Sequence, residues 1–171
     1  MKIRNDGRQD LTFNATINGP VLAMAAQRDD RLLIGGSFTD VSGQPRTSLA
    51  RLHPDGSADP TFASPINLTG NSVKAIAVQA DGKILIGTTN AMTLPGGSSK
   101  VARLHPDGTV DTSFSLATDY VDRLLVQPDG KIVKLGFTGG TPEYLRRYLP
   151  DGSVDAGFSV PVDNKVTNVA L

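Results

Sequence analysis

The chain contains no cysteine and no tryptophan. The first absence excludes disulfides, thiolate nucleophiles and zinc–thiolate sites. It leaves the compartment open, because a chain with a sizeable core needs no disulfides. The second, with aromatics at only 5% of residues, argues against sugar-stacking platforms. Net charge is missing too, since 17 basic residues balance 17 acidic ones. Proteins that grip a phosphate backbone carry a basic surplus, so nucleic acid is not expected as a partner. No apolar run approaches the roughly 20 residues that a spanning helix requires, so membrane insertion is not expected either. The opening "MKIRNDGRQD" lacks the apolar core of a signal peptide. What remains is 171 residues of ordinary globular composition, enough for a single domain that hides roughly 70% of its unfolded surface.

What the chain has is repetition. "RLHPDGSADPTF" (51–62) matches "RLHPDGTVDTSF" (103–114) and "RYLPDGSVDAGF" (147–158), and a worn copy, "IRNDGRQDLTF" (3–13), precedes them. The shared core is D-G-x-x-D-x-x-F, ending at Phe13, Phe62, Phe114 and Phe158. A second motif interleaves with it: "VKAIAVQADGKILIG" (73–87) matches "VDRLLVQPDGKIVKLG" (121–136) and a degenerate "VLAMAAQRDDRLLIG" (21–35). The period is about 50 residues, in the range of propeller blades and solenoid units. Units are read at 21–62, 73–114 and 121–158, with partial units at 1–20 and 166–171.

Each unit reads as strands. "VKAIAVQ" alternates small and large apolar residues, the pattern of a strand buried on both faces. "KILIGTT" and "KVARLHP" follow as second and third strands, and "TVDTSF" as a short fourth. Asp-Gly between apolar runs marks tight hairpins, because glycine reaches positive φ cheaply. No stretch has a helical period. The expected fold is all-β, an array of four-stranded antiparallel meander blades, about 3.5 per chain, as in a β-propeller. Asp55-Gly56, Asp107-Gly108 and Asp151-Gly152 are expected to turn the chain. Asp59, Asp111 and Asp155 should accept hydrogen bonds from turn amides. Phe62, Phe114 and Phe158 should wedge between neighbouring blades. A calcium loop would need acids at alternating positions and a late glutamate, which "DGSAD" does not supply.

At these residues the chain resembles the delta-60 repeat family, with "VQPDGKIVKLG" and "RLHPDGTVDTSF" carrying the likeness over nearly the whole length. That resemblance implies a β-propeller from bacterial, often very large, secreted or surface-associated proteins without an established activity. The blade grammar is also similar to that of NHL-type propellers. The first copy departs from the pattern: Asp30 stands for a turn glycine and "NDG" for "PDG". An open arc of blades would expose edges, so closure is expected through a longer chain or through a second copy in a head-to-tail ring.

Function is sought where the units differ. Connections at one end of each unit are uniform Asp-Gly turns, whereas those at the other end vary, and variable loops on a rigid scaffold carry binding. The candidate binding residues are Asp40, Arg46, Asn71, Asn90, Asp119, Tyr120, Glu143 and Tyr144. The competing reading of each is a polar group merely solvated at a loop. His53 and His105 are equivalent, but Leu149 takes their place in the third unit, which argues against a shared metal. No nucleophile elbow, zinc helix motif or phosphate loop is present. The expectation is a non-catalytic module without cofactor or metal that binds a protein or glycan. Two alternatives stay open: an enzyme using a central channel, for which Lys74, Asp122 and Arg123 are a poor kit, and a structural spacer of a long surface protein.

Overall fold

The computed structural model describes residues 6–8, 10–62, 66, 68–95, 97–116, 121–138, 141–158 and 160, with the backbone alone at 137, 138 and 141–144. None of these residues is helical. Three antiparallel sheets follow one another: β1 (Val21–Ala26), β2 (Leu32–Gly36) and β5 (Leu49–Leu52), then β6 (Val73–Val78), β7 (Ile84–Leu94) and β8 (Gly97–Leu104), then β9 (Arg123–Val126), β10 (Ile132–Thr138) and β11 (Thr141–Tyr148). A short hairpin, β3 (Asp40–Val41) and β4 (Gln44–Pro45), lies between β2 and β5. We call the three sheets blades 1, 2 and 3.

The expected fourth strand is reduced to a single bridge in each blade: Leu52 with Ala58, Leu104 with Val110, and Tyr148 with Val154. The reason lies in the motif. After one rung (Asp59 N donates to Arg51 O), the Asp59 carboxylate takes the amide and hydroxyl of Thr61, and Phe62 N turns back toward Asp59 O. The D-x-x-F segment closes a turn instead of extending a strand.

The alternation of strand residues sorts side chains between two cores. From β7, Ile84 and Ile86 enter the core between blades 1 and 2, and Leu85 enters the core between blades 2 and 3. Val73 shares a core with Ile76, despite their odd spacing, because a register shift separates Val73 from Ala75. Phe62 and Phe114 are buried in these cores, one beside Leu33 and Ile84 in the first, the other beside Leu85 and Ile132 in the second. Glycine is required where one blade meets the next: a Cβ on Gly35 would lie 2.5 Å from Val73 Cγ1, and one on Gly87 2.7 Å from Val121 Cγ1. That close approach explains the "ILIG" ending of the second strand.

Two connections expected as loops are strand. Asn90 lies within β7, and the β7–β8 hairpin resumes after a register shift with Met92 opposite Ser99. Burial of Met92, 1% exposed, anchors this extension. Glu143 and Tyr144 lie within β11, with Tyr144 opposite Gly136.

Candidate functional site

Among the described residues, Asp59, Asp111 and Asp155 each gather a cluster of ion pairs. Arg51 Nε donates to Asp59 Oδ2 at 2.8 Å, and Arg31 Nη1 stands 3.4 Å from the same oxygen. Thr61 fills the other oxygen, its amide at 2.8 Å and its hydroxyl at 2.7 Å. The Arg51 guanidinium also covers the Phe62 ring, 4.8 Å from its centroid, and donates through Nη1 to Pro106 O in blade 2. One arginine thus pairs with its own blade's acid, stacks on its own blade's phenylalanine and ties down the next blade's turn.

Blade 2 repeats the arrangement. Arg103 Nε meets Asp111 Oδ2 at 2.8 Å, Lys83 Nζ approaches to 3.0 Å, and Arg103 Nη1 donates to Pro150 O at 2.7 Å. Its guanidinium lies 4.4 Å from the Phe114 centroid. In blade 3 Arg147 holds Asp155 at 2.8 Å with Lys131 at 3.4 Å, and Arg147 lies 4.3 Å from the Phe158 centroid. Only the Gly157 amide, at 3.2 Å, replaces the hydroxyl-bearing neighbour.

The environment keeps these acids ionised. Burial works to raise the Asp59 pKa, but the Thr61 hydrogen bonds and the Arg51 guanidinium outweigh it and hold the value at about 2. Burial acts likewise on Asp111, and Ser113, Lys83 and Arg103 push it well below the usual carboxylate range. Asp155 is lowered as Arg147 and Lys131 overcome its burial. Every carboxylate faces two cations, so a metal ion there would have to displace both. The turn acids Asp55, Asp107 and Asp151 accept from the hydroxyl and amide of Ser57, Thr109 and Ser153, which lowers their pKa as well. Gly56, Gly108 and Gly152 follow at φ of 91°, 96° and 94°, completing the turns.

The variable-loop candidates are held by local bonds. Asp40 Oδ1 accepts from Gly43 N at 2.9 Å and closes the β3–β4 hairpin. Arg46 donates to the main-chain oxygens of Pro45 and Asp59. Asn71 spans two connections, accepting from Asn90 N at 3.0 Å and donating to Asn90 O at 2.9 Å. Asn18, which the sequence reading passed over, accepts from the amides of Thr39 and Asp40 and donates to the Thr39 hydroxyl. Asn71 and Asn90 are therefore brought together. Asp119 and Tyr120 lie outside the described residues, as do the side chains of Glu143 and Tyr144.

At the Asp-Gly end a cavity of about 800 Å³ opens. Gln27, Gln79 and Gln127, one from each blade, line it. Each directly follows the first strand of its blade, and its main-chain N–H donates to the oxygen of Arg31, Lys83 or Lys131 to close the hairpin. Each side-chain Oε1 is buried and accepts no hydrogen bond from another protein group.

These blades match the sequence profile of a beta-propeller family described as a domain of unknown function (DUF5122), over residues 27–62, 79–114 and 127–158. The chain belongs to this family. Each matched segment of the propeller begins at a cavity glutamine and ends at an arginine-stacked phenylalanine. No curated protein matches. Among solved structures, a protein of unknown function from Bacteroides caccae is similar, with a TM-score of 0.49 and 14% identity over 80% of this chain and 44% of that one. The propeller chain thus spans less than half the length of that protein.

Sequence reasoning missed Arg51, Arg103 and Arg147, although a signal existed. Each precedes its acid by eight residues, and the spacing is kept in all three units.

Proposed function

We propose that this propeller is a non-catalytic scaffold that binds a protein or glycan through the end carrying its variable connections. The observation that carries the reading is how its charged groups are used. The repeated acids and arginines neutralise one another within each blade, and Arg51 and Arg103 also bond a carbonyl of the next blade, so the ionic chemistry serves the scaffold. The variable connections are stitched together across the chain by Asn18, Asn71 and Ser48, whose hydroxyl donates to Asn71 O at 2.7 Å. A surface stiffened in this way loses little entropy on binding. The delta-60 likeness supports a bacterial source and placement outside the cell or on its surface.

A glycan array, with a matched array of bacterial surface proteins, tests this reading. Saturable binding that disappears when residues 90–99 are replaced by a two-residue Asn-Gly turn is the expected outcome. Binding that survives the replacement would place recognition elsewhere, and silence on both arrays would favour a spacer.

The front of blade 1 supports closure by a second copy. Met24 is 66% exposed, whereas the equivalent Ile76 and Leu124 are 8% and 5% exposed behind a preceding blade. A groove of about 490 Å³ beside Met24, Ile34 and Leu52 has the chemistry of the faces that blades 2 and 3 hide. Light scattering on a size-exclusion column should give twice the chain mass; a monomer at tens of micromolar would remove this inference.

A further inference from the structure

The glutamine cavity lies at the opposite end from the variable connections. Gln79 is 9% exposed, and its Oε1 accepts no hydrogen bond from the protein; the same atom lacks a protein donor in the half-buried Gln27 and Gln127. Leaving a buried acceptor unmade is unfavourable by about 1–3 kcal/mol. A feature that is unfavourable for folding and occurs three times around one cavity points to a partner.

The chemistry narrows that partner. Arg28, Arg31 and Arg51 line the cavity together with Asp29 and Asp107, and Arg31 and Arg51 are also paired with Asp59, so charges of both signs offset and the lining has no strong surplus of one sign. Val78, Val126 and Pro106 give small aliphatic walls, and among the described residues the lining has no aromatic ring on which a sugar could stack. A carboxamide carries one acceptor and two donors, the complement of a peptide N–H and C=O. Its terminal torsion is broad, so a modest turn presents both groups to the cavity. Three equivalent carboxamides from successive blades suit a ligand whose hydrogen-bonding unit also repeats.

We propose that Gln27, Gln79 and Gln127 form a site that binds an uncharged extended peptide by its main chain, with short aliphatic side chains against Val78 and Val126. Main-chain pairing supplies the affinity, and the aliphatic walls of Val78 and Val126 give short apolar side chains a surface to pack on. This site rests on the reading of the chain as a binding module but not on the variable connections.

The test is a ¹H–¹⁵N NMR titration of the full chain with the capped hexapeptide acetyl-Ser-Ala-Val-Ser-Ala-Val-amide. A parallel titration uses the same peptide N-methylated at alternate residues, and another uses chitotriose. Saturable shifts of the three glutamine NH₂ pairs with the first peptide, weakened at least tenfold by N-methylation, are expected. Equal binding of the N-methylated peptide, glutamine shifts with chitotriose instead, or no shift with any probe would overturn the proposal. Peptide shifts confined to residues 40–46, 71 and 90 would overturn it too, while leaving the variable-end reading intact. Stability gives an independent readout. Gln79→Met keeps the volume and removes the unpartnered oxygen, so the ligand-free Tm should hold or rise while peptide binding falls at least tenfold. A drop of several degrees would show the amide to be structural and overturn the proposal.

Discussion

Blades 1 and 2 carry one pattern and live in different surroundings. Their first strands align as "VLAMAAQ" and "VKAIAVQ", yet Met24 is 66% exposed and Ile76 only 8%. The backs of the two blades are alike: Arg51 and Arg103 are 7% and 8% exposed, and each reaches a proline carbonyl of the following blade. A repeat unit therefore does not own its burial. The blade in front decides what its first strand hides, and the blade behind decides whether its arginine is dry.

The largest test breaks the back of each blade. Arg103→Met leaves Asp111 buried with Lys83 alone, and removing one partner of a buried ion pair costs about 3–5 kcal/mol. For a chain of this size that lowers Tm by roughly 10 °C. Arg51→Met should cost as much, because blade 2 covers it just as blade 3 covers Arg103. Arg147→Met should cost less, since Arg147 is already 22% exposed. Equal losses at all three positions in thermal melts would contradict the dependence on a following blade.

The front face gives the second contrast. Ile76→Ala empties space in a closed core and should cost about 3 kcal/mol, whereas Met24→Ala in the isolated chain should stay within about 0.5 kcal/mol. If a second copy covers Met24, the difference shrinks at high protein concentration and returns on dilution. Urea midpoints at two concentrations therefore measure coverage directly.

How much of this was legible beforehand follows from the range of each interaction. The hairpins were, because Gly56 and Gly108 answer a demand made within four residues. Arg103 was not: in a strand that alternates with apolar residues it reads as a solvated position, and its Nη1 acceptor, Pro150 O, is 47 residues away. Asn90 was read as loop because nothing local reveals that Met92, two residues on, would be buried and hold the hairpin together. The glutamines of the cavity were visible only as a motif letter, since an unpartnered oxygen is defined by neighbours from other units.

Acid should act through the same pairs in every blade. Asp59, Asp111 and Asp155 titrate below their unfolded value near 3.8. Their stabilisation is full above that pH and is lost as pH falls through the folded values. Tm should therefore hold down to about pH 4 and then fall as pH drops toward 2 and below. Asp111→Asn should flatten that fall, and an unchanged slope would mean that other carboxylates govern it.

Blade 3 sharpens the comparison from the other side. Where Thr61 and Ser113 give hydroxyls to their acids, Gly157 gives only an amide. A Cβ at Gly157 would sit 3.5 Å from Asp155 Oδ1, an ordinary contact, so Gly157→Ser can rebuild the missing bond. The gain should be about 1 kcal/mol from the hydrogen bond and the lost chain entropy together. A neutral or destabilising result would show that the weaker setting of Asp155 comes from exposure and not from its neighbour.

The smallest effect lies in the first hairpin of blade 1. Asp30 occupies φ of 61°, where blades 2 and 3 place Gly82 at 84° and Gly130 at 81°. Aspartate tolerates the left-handed region better than most residues but still pays for its Cβ. Asp30→Gly relieves that strain and loosens the unfolded chain, two opposed terms that leave a net gain of about 0.5 kcal/mol. Gly82→Asp should lose at least as much, since the same turn then acquires a side chain it was not built around. If instead Asp30→Gly destabilises, the aspartate must hold its turn through contacts that glycine cannot make, and blade 1 would have its own solution to a corner that the other blades leave to glycine.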